Sequence, residues 1–361
     1  MKLAVVLAVV LAVVLALGLA ACGDGGGDSK CSIPGAGPGL DPSGAMCERL
    51  SSYRLFDDIA ARTPAEGVVP YALATPLFSD YTTKDRFIWV PPGSALTWQD
   101  ADAFRAPTGT VVIKTFIYLA DRRDPGGARQ PLETRLLIRQ DTGWSGASYI
   151  YEAGKPDDAT LAIAGATIDA SWIHDDGAAR TNAYVVPNKN QCKECHAEHD
   201  DVVDLLGPKA RHLNTGDQLQ HLIDLGVLTG APPPAMWPAG IRAYDPAAGT
   251  VEQRARAWLD INCSFCHNER GIARTSGLYL GVTQTDALSL GICTPPVAAG
   301  RGSGGRAFAI VPGQPDASIM MFRLESTEPD IRMPELGRNL VDAEGAAIVR
   351  AWIASLSGSC P

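Results

Sequence analysis

The chain has 361 residues, 46 % of them hydrophobic, and a formal net charge of −9 from 31 Lys and Arg against 40 Asp and Glu. That length suits two or so domains with ordinary cores. The acidic balance excludes a nucleic-acid binder that works by neutralising phosphates, and it suits solubility after export or a basic partner.

The chain opens on "MKLAVVLAVVLAVVLALGLAAC", one Lys ahead of an uncharged apolar run and then small residues. This predicts a secretory signal peptide over 1–21. The run is nearly long enough to span a membrane, but no basic stop-transfer cluster follows. Leu19-Ala20-Ala21-Cys22 resembles the lipobox of bacterial lipoproteins. That resemblance implies lipidation of Cys22 and membrane attachment by acyl chains rather than by a helix. Gly23 after the Cys favours the outer membrane, and the cell surface stays open. Residues 22–46 are rich in Gly, Pro, Asp and Ser and read as a flexible tether.

Residues 47–187 are expected to form a β-rich domain. It begins with a helical face of Leu50, Tyr53, Phe56, Ile59 and Ala60. From about 68 the period changes to two, in "GTVVIKTFIYLAD", "ETRLLIRQD", "SYIYEAG", "TIDASWIHDD" and "NAYVVP", with turn signals between them. Strands so spaced predict an antiparallel, sandwich-like sheet. His174 falls at a hairpin turn and reads as solvated. After 188 helices return: Thr215 with Gln218 and Thr250 with Gln253 form capping-box patterns. A last helix starts near Asp342 and buries Ala346, Val349, Trp352, Ile353 and Leu356. The expected architecture is α+β multidomain, with mainly α-helical regions over 188–245 and 246–361.

The chemistry lies in a doubled motif. Cys192, Cys195 and His196 spell C-x-x-C-H in "NKNQCKECHAEHD", and Cys263, Cys266 and His267 repeat it in "LDINCSFCHNERG". Two thiols three positions apart can add to the two vinyl groups of one haem, and the next His meets the iron. Two covalently bound haem c groups are therefore expected, with His196 and His267 as iron ligands. A thioredoxin-like dithiol needs a βαβ setting and gives His no role. A four-Cys zinc site is spaced too widely, and a C-x-x-C disulfide is strained. Of the other cysteines, Cys31, Cys47, Cys293 and Cys360 allow three pairings in an oxidising compartment. Local pairing favours Cys31–Cys47 and Cys293–Cys360, with free thiols as the alternative.

Electron-transfer haems take Met or a second His on the far side. Met333, followed by Pro334 in an irregular loop, is one candidate; Met320 and Met321 read as core. For the first haem, Met236 among prolines is preferred to His212, and an open sixth position is a third choice. "GRGSGG" at 300–305 lacks a P-loop Lys; Arg301 and Arg306 either reach haem propionates or are solvated.

Residues 250–356 resemble a class I-type cytochrome c domain, through "VPGQPDASIMMFRL", "MPELG" and "AAIVRAWIASL". That likeness implies Met333 as the distal ligand of the haem at Cys263 and Cys266. From about 50 to 356 the chain resembles a family of exported di-haem c-type cytochromes of poorly defined function. "TPLFSDY", "LETRLLIRQDTGW", "VPNKNQCKECH", "GPKARHLN", "LDINCSFCH", "PPVAAGRGSGG" and "MPELGR" carry it. The resemblance implies a redox carrier that exchanges electrons with a partner protein in the periplasm or at the cell surface, held to a membrane by its lipid, with no nucleic-acid role. The rivals are a peroxidase-like di-haem oxidoreductase, with Glu198, His199 or His212 as acid/base, and a redox-linked binding module.

Overall fold

The computed structural model describes residues 31–197 and 203–361. The expected signal peptide, Cys22, Glu198 and His199 lie outside the described residues. Within them the strands are β1 (Phe56–Asp58), β2 (Thr63–Pro64), β3 (Val68–Pro70), β4 (Thr83–Trp89), β5 (Leu96–Thr97), β6 (Val111–Leu119), β7 (Arg129–Gln140), β8 (Gly143–Glu152), β9 (Lys155–Leu161), β10 (Ala166–Ile173), β11 (Ala179–Val186) and β12 (Leu228–Thr229). The α-helices are α1 (Cys192–His196), α2 (Ala210–Leu213), α3 (Gln218–Asp224), α4 (Val251–Asn262), α5 (Ile319–Leu324) and α6 (Ala343–Ser355).

Six strands form one antiparallel sheet in the order β3-β4-β6-β7-β8-β9. Side chains alternate between its faces, and the register assigns the faces clear roles. Phe87, Ile113, Leu136 and Ala147 stand in one cross-strand row. They belong to a core with Cys47, Leu50, Tyr53 and Tyr149, so the segment after the tether covers this face. The next row, one residue along each strand, is Arg86, Lys114, Arg135 and Ser148. That opposite face is the one turned to the first C-x-x-C-H motif.

The predicted helix over Leu50–Ala60 does not form. Arg54 adopts the left-handed region at φ 52° after a single 3-10 turn, Leu50–Tyr53, and the chain then enters β1. Leu50, Tyr53 and Phe56 are still buried, so the apolar spacing encoded burial rather than helix. β10 and β11 make a separate hairpin sheet. Its Trp172 stacks on Tyr118 with ring centroids 4.7 Å apart, joining it to the large sheet.

The C-terminal part has its own core, in which α4 packs on α6 through Trp258, Leu259, Val349 and Trp352. Thr250 and Gln253 close a capping box on α4, and the Asp342 carboxylate caps α6 through the Gly345 amide. Thr215 caps nothing; Gln218 instead bonds Ala72 and the Leu213 carbonyl. Outside α4 and α6 this half is loops, 3-10 turns and helices of four to seven residues.

This corrects the expected architecture. The described residues are β-rich with antiparallel sheets, helix with its 3-10 turns makes up 21 % of them, and they show no helical cytochrome domains. Capping signals and apolar spacing located α4 and α6, but "mainly helical" does not follow. Gly and Pro interrupt the segments between them, leaving too few consecutive residues for propagation to repay nucleation. Among the described residues no helix is long and apolar enough to cross a membrane.

Candidate functional site

The first motif sits on a short helix directly after β11. Asn188 starts it: its side-chain oxygen accepts from the Asn190 and Gln191 amides at 2.9 and 3.0 Å. Cys192 is laid against the sheet where β8 carries Gly146. A Cβ at that glycine would stand 3.7 Å from Cys192 Sγ, so even a methyl group would touch the sulfur.

The second motif is aimed by α4, whose C-cap is Cys263. The His267 amide donates to the Cys263 carbonyl at 2.9 Å, closing the turn. Asn268 and Gly271 then fold the loop back. A Cβ on Gly271 would lie against the Cys266 carbonyl oxygen, so the backbone approach there requires glycine.

Each motif histidine has its Nδ1 engaged and its Nε2 without a hydrogen-bond partner among the described residues. His196 Nδ1 is 3.1 Å from the Asp204 carbonyl, which can only accept. His267 Nδ1 is 3.2 Å from Ser276 Oγ, whose own proton goes to the Ala273 carbonyl at 2.7 Å. Nδ1 therefore carries the proton in both rings, which leaves the Nε2 lone pair for a metal. Burial pushes both imidazoles down to about 4, the second with help from Arg323, so both are neutral near pH 7.

The sheet and the helical turns bring the two motifs together. The Cys195 and Cys266 thiols lie close enough to interact, which pushes the first down and the second up. The Cys266 thiol also reaches the Glu194 carbonyl at 3.6 Å. Cys31 is paired with Cys47 and Cys293 with Cys360, and the free cysteines of the described residues are the four of the motifs. Those four thiols do not converge as a metal cage. Among the described residues the one cluster with that spacing is His174, Asp175 and Glu344. There Asp175 is held bidentately by Arg122 and His174 Nδ1 accepts from Trp172.

A cavity opens beside each motif. The second, about 560 Å³, is lined by Cys263, Cys266, His267, Met320 and Met333, with Pro295 and Pro296 opposite. That volume lies within the ~300–1,000 Å³ of cofactor pockets. The first, about 230 Å³, is lined by Cys192, Cys195, His196, His212 and the charged face of the sheet. Met333 touches both cavities. Its amide donates to the Arg323 carbonyl, and its own carbonyl accepts from Arg338 at 2.7 Å. Arg338, 5 % exposed, spends its guanidinium on four backbone carbonyls.

The two candidates for the first distal position differ in place. Met236 is 70 % exposed and lines neither cavity, whereas His212 is 8 % exposed and lines the first. His212 Nε2 is committed to Asp260 on α4 at 2.7 Å, which leaves Nδ1 as its second nitrogen. Asp260 is also held by Arg211 at 2.7 and 3.0 Å, and these partners keep its carboxyl well below the usual range despite burial. Arg301 and Arg306 line neither cavity. Arg301 pairs with Glu328 and Asp330, and Arg306 stacks on Phe322.

Met320, assigned to the core from its helical spacing, also forms part of the second cavity's wall. The cationic sheet face escaped sequence reasoning because alternating charge on a strand is the ordinary mark of a solvated face.

Comparisons with family models, with curated proteins and with solved structures return no match. With that result, a β-rich chain and six small helices, the likeness to exported di-haem c-type cytochromes and to a class I-type domain is withdrawn.

Proposed function

We propose that the chain carries two covalently attached haems and passes electrons between them and a redox partner protein. Cys192 and Cys195 would hold one and Cys263 and Cys266 the other, with His196 and His267 on the irons. Haem supplies reversible one-electron chemistry when bound; the chain supplies attachment, axial ligation and exclusion of water, which tune the potential. One observation carries this reading: the two motifs, 71 residues apart in sequence, meet where the Cys266 thiol reaches the Glu194 carbonyl, and Cys195 and Cys266 line one cavity. Groups attached through those two cysteines would be anchored close together, as a relay requires. The set Nδ1 positions of both histidines support it, as does the sparing of the four motif thiols from disulfide pairing. The disulfides at both ends suit an oxidising compartment, and a lipid on Cys22 would hold the protein near a membrane.

Met333 is the proposed distal ligand of the second haem. At the first, His212 with its Asp260 partner favours a second reading, in which His212 would hold or move a proton beside the attached group and the protein would be an oxidoreductase acting on a small substrate. Stepwise reduction of the matured protein, followed by optical and electron paramagnetic resonance spectra, separates the two. A carrier shows two low-spin irons with magnetic interaction between them. A high-spin iron that binds cyanide contradicts the carrier and supports the enzyme.

A further inference from the structure

The row Arg86–Lys114–Arg135 puts three cations side by side across β4, β6 and β7, an arrangement that is destabilising unless something balances it. Glu133, fully buried, balances one: it holds Arg135 at 2.5 and 2.9 Å and accepts from Tyr184 at 2.6 Å. Arg86 is 8 % exposed and makes one hydrogen bond, a 3.3 Å contact to the Lys84 carbonyl. Lys114 Nζ makes no hydrogen bond or ion pair among the described residues and rests 5.0 Å from the Phe116 ring centre. Burial pushes its ammonium down to about 7. All three cations line the first cavity, and Lys209 adds a fourth from another wall. Among the described residues, the carboxylates that line the cavity are spent elsewhere, Asp260 on Arg211 and His212 and Asp342 on Tyr244 and Trp258. Arg86 is buried and Lys114 half-buried, and cations so placed without a partner cost stability unless a counter-charge arrives.

We infer that the row Arg86–Lys114–Arg135 is a carboxylate seat, which makes the six-stranded sheet the anion-binding wall of the first site. This rests on the proposed function, because the seat adjoins Cys192, Cys195 and His196. Two sources share the chemistry: the carboxylates of the attached porphyrin itself, and a free carboxylate that enters beside it. Either explains why a β-rich region is built onto the first motif.

The test uses the full, matured chain. Intact mass is read first on wild type, Lys114→Gln, Arg86→Gln and the charge-preserving Lys114→Arg. A potentiometric titration then follows each site with and without sodium acetate. If the porphyrin's carboxylates fill the seat, Lys114→Gln lowers the potential of the first site alone, by about tenfold or more in its reduction equilibrium. Lys114→Arg restores it and acetate has no effect. If a free carboxylate fills it, acetate shifts the wild-type first site saturably, and both Gln variants lose that saturation. Two haems by mass with no shift in any variant and no acetate response overturn the seat while leaving the carrier intact. A haem-free mass overturns both.

Discussion

The two C-x-x-C-H sites share five residues of pattern and little else. The first hangs from a β-strand on a five-residue helix, and its cavity is walled by a sheet bearing a row of three cations, of which Lys114 has no hydrogen-bond or ion-pair partner among the described residues. The second ends a twelve-residue capped helix, and its cavity is walled by prolines, two methionines and an apolar core. The pattern specifies bond-forming chemistry, and the wall specifies what that chemistry is used for. On the proposed reading, a cationic wall would suit an anion beside a haem at the first site, and a thioether ligand at the second would suit a high potential.

Asp260 is where the difference is most open to attack, because it stands on α4 of the second site yet is bonded to Arg211 and His212 of the first. Asp260→Ala would strand two buried partners, a loss of about 3–5 kcal/mol, and thermal unfolding should show it. A loss under about 1 kcal/mol would mean that the two sites are held together by something else. Gly271→Ala tests the second site alone. Its methyl would press on the Cys266 carbonyl, at a cost of about 1–3 kcal/mol, and should disturb the spectrum of the second haem while sparing the first. Equal disturbance of both would erase the distinction. Met333→Ala has the smallest effect on folding. It should lower one reduction potential and remove that site's Met–iron charge-transfer band; survival of both would move the ligand role to Met320.

How far these differences are legible in the sequence depends on how local their causes are. The period-two runs in β6, β7, β8, β10 and β11, the capping box on α4 and the Asp342 cap of α6 are local, and each is readable from its own stretch of residues. The helix expected over Leu50–Ala60 is not, because one left-handed residue, Arg54, redirects a chain whose apolar spacing stays the same. The mainly helical haem domains fail for a related reason: likeness extends two good helices to segments that Gly and Pro hold as loops. At the site, Cys192, Cys195, His196, Cys263, Cys266 and His267 are visible as a pattern. Their meeting at Cys195 and Cys266 is not, since it depends on pairing distant segments. Lys114 looks like any strand cation on a wet face, and only the register that sets it between Arg86 and Arg135 shows it to be unpaired. Sequence context prefers Met236 to His212, whereas the fold leaves Met236 exposed and sets His212 in the first cavity's wall.

The central claim is that both motifs carry haem at once, with their attachment sulfurs adjacent. It is tested most directly by the intact mass of protein matured with haem-attachment machinery, followed by mass mapping of the peptides holding Cys192–His196 and Cys263–His267. The account predicts a gain of two haems, one on each peptide. A mass equal to the polypeptide with its lipid, or thiols at all four motif cysteines, would contradict it.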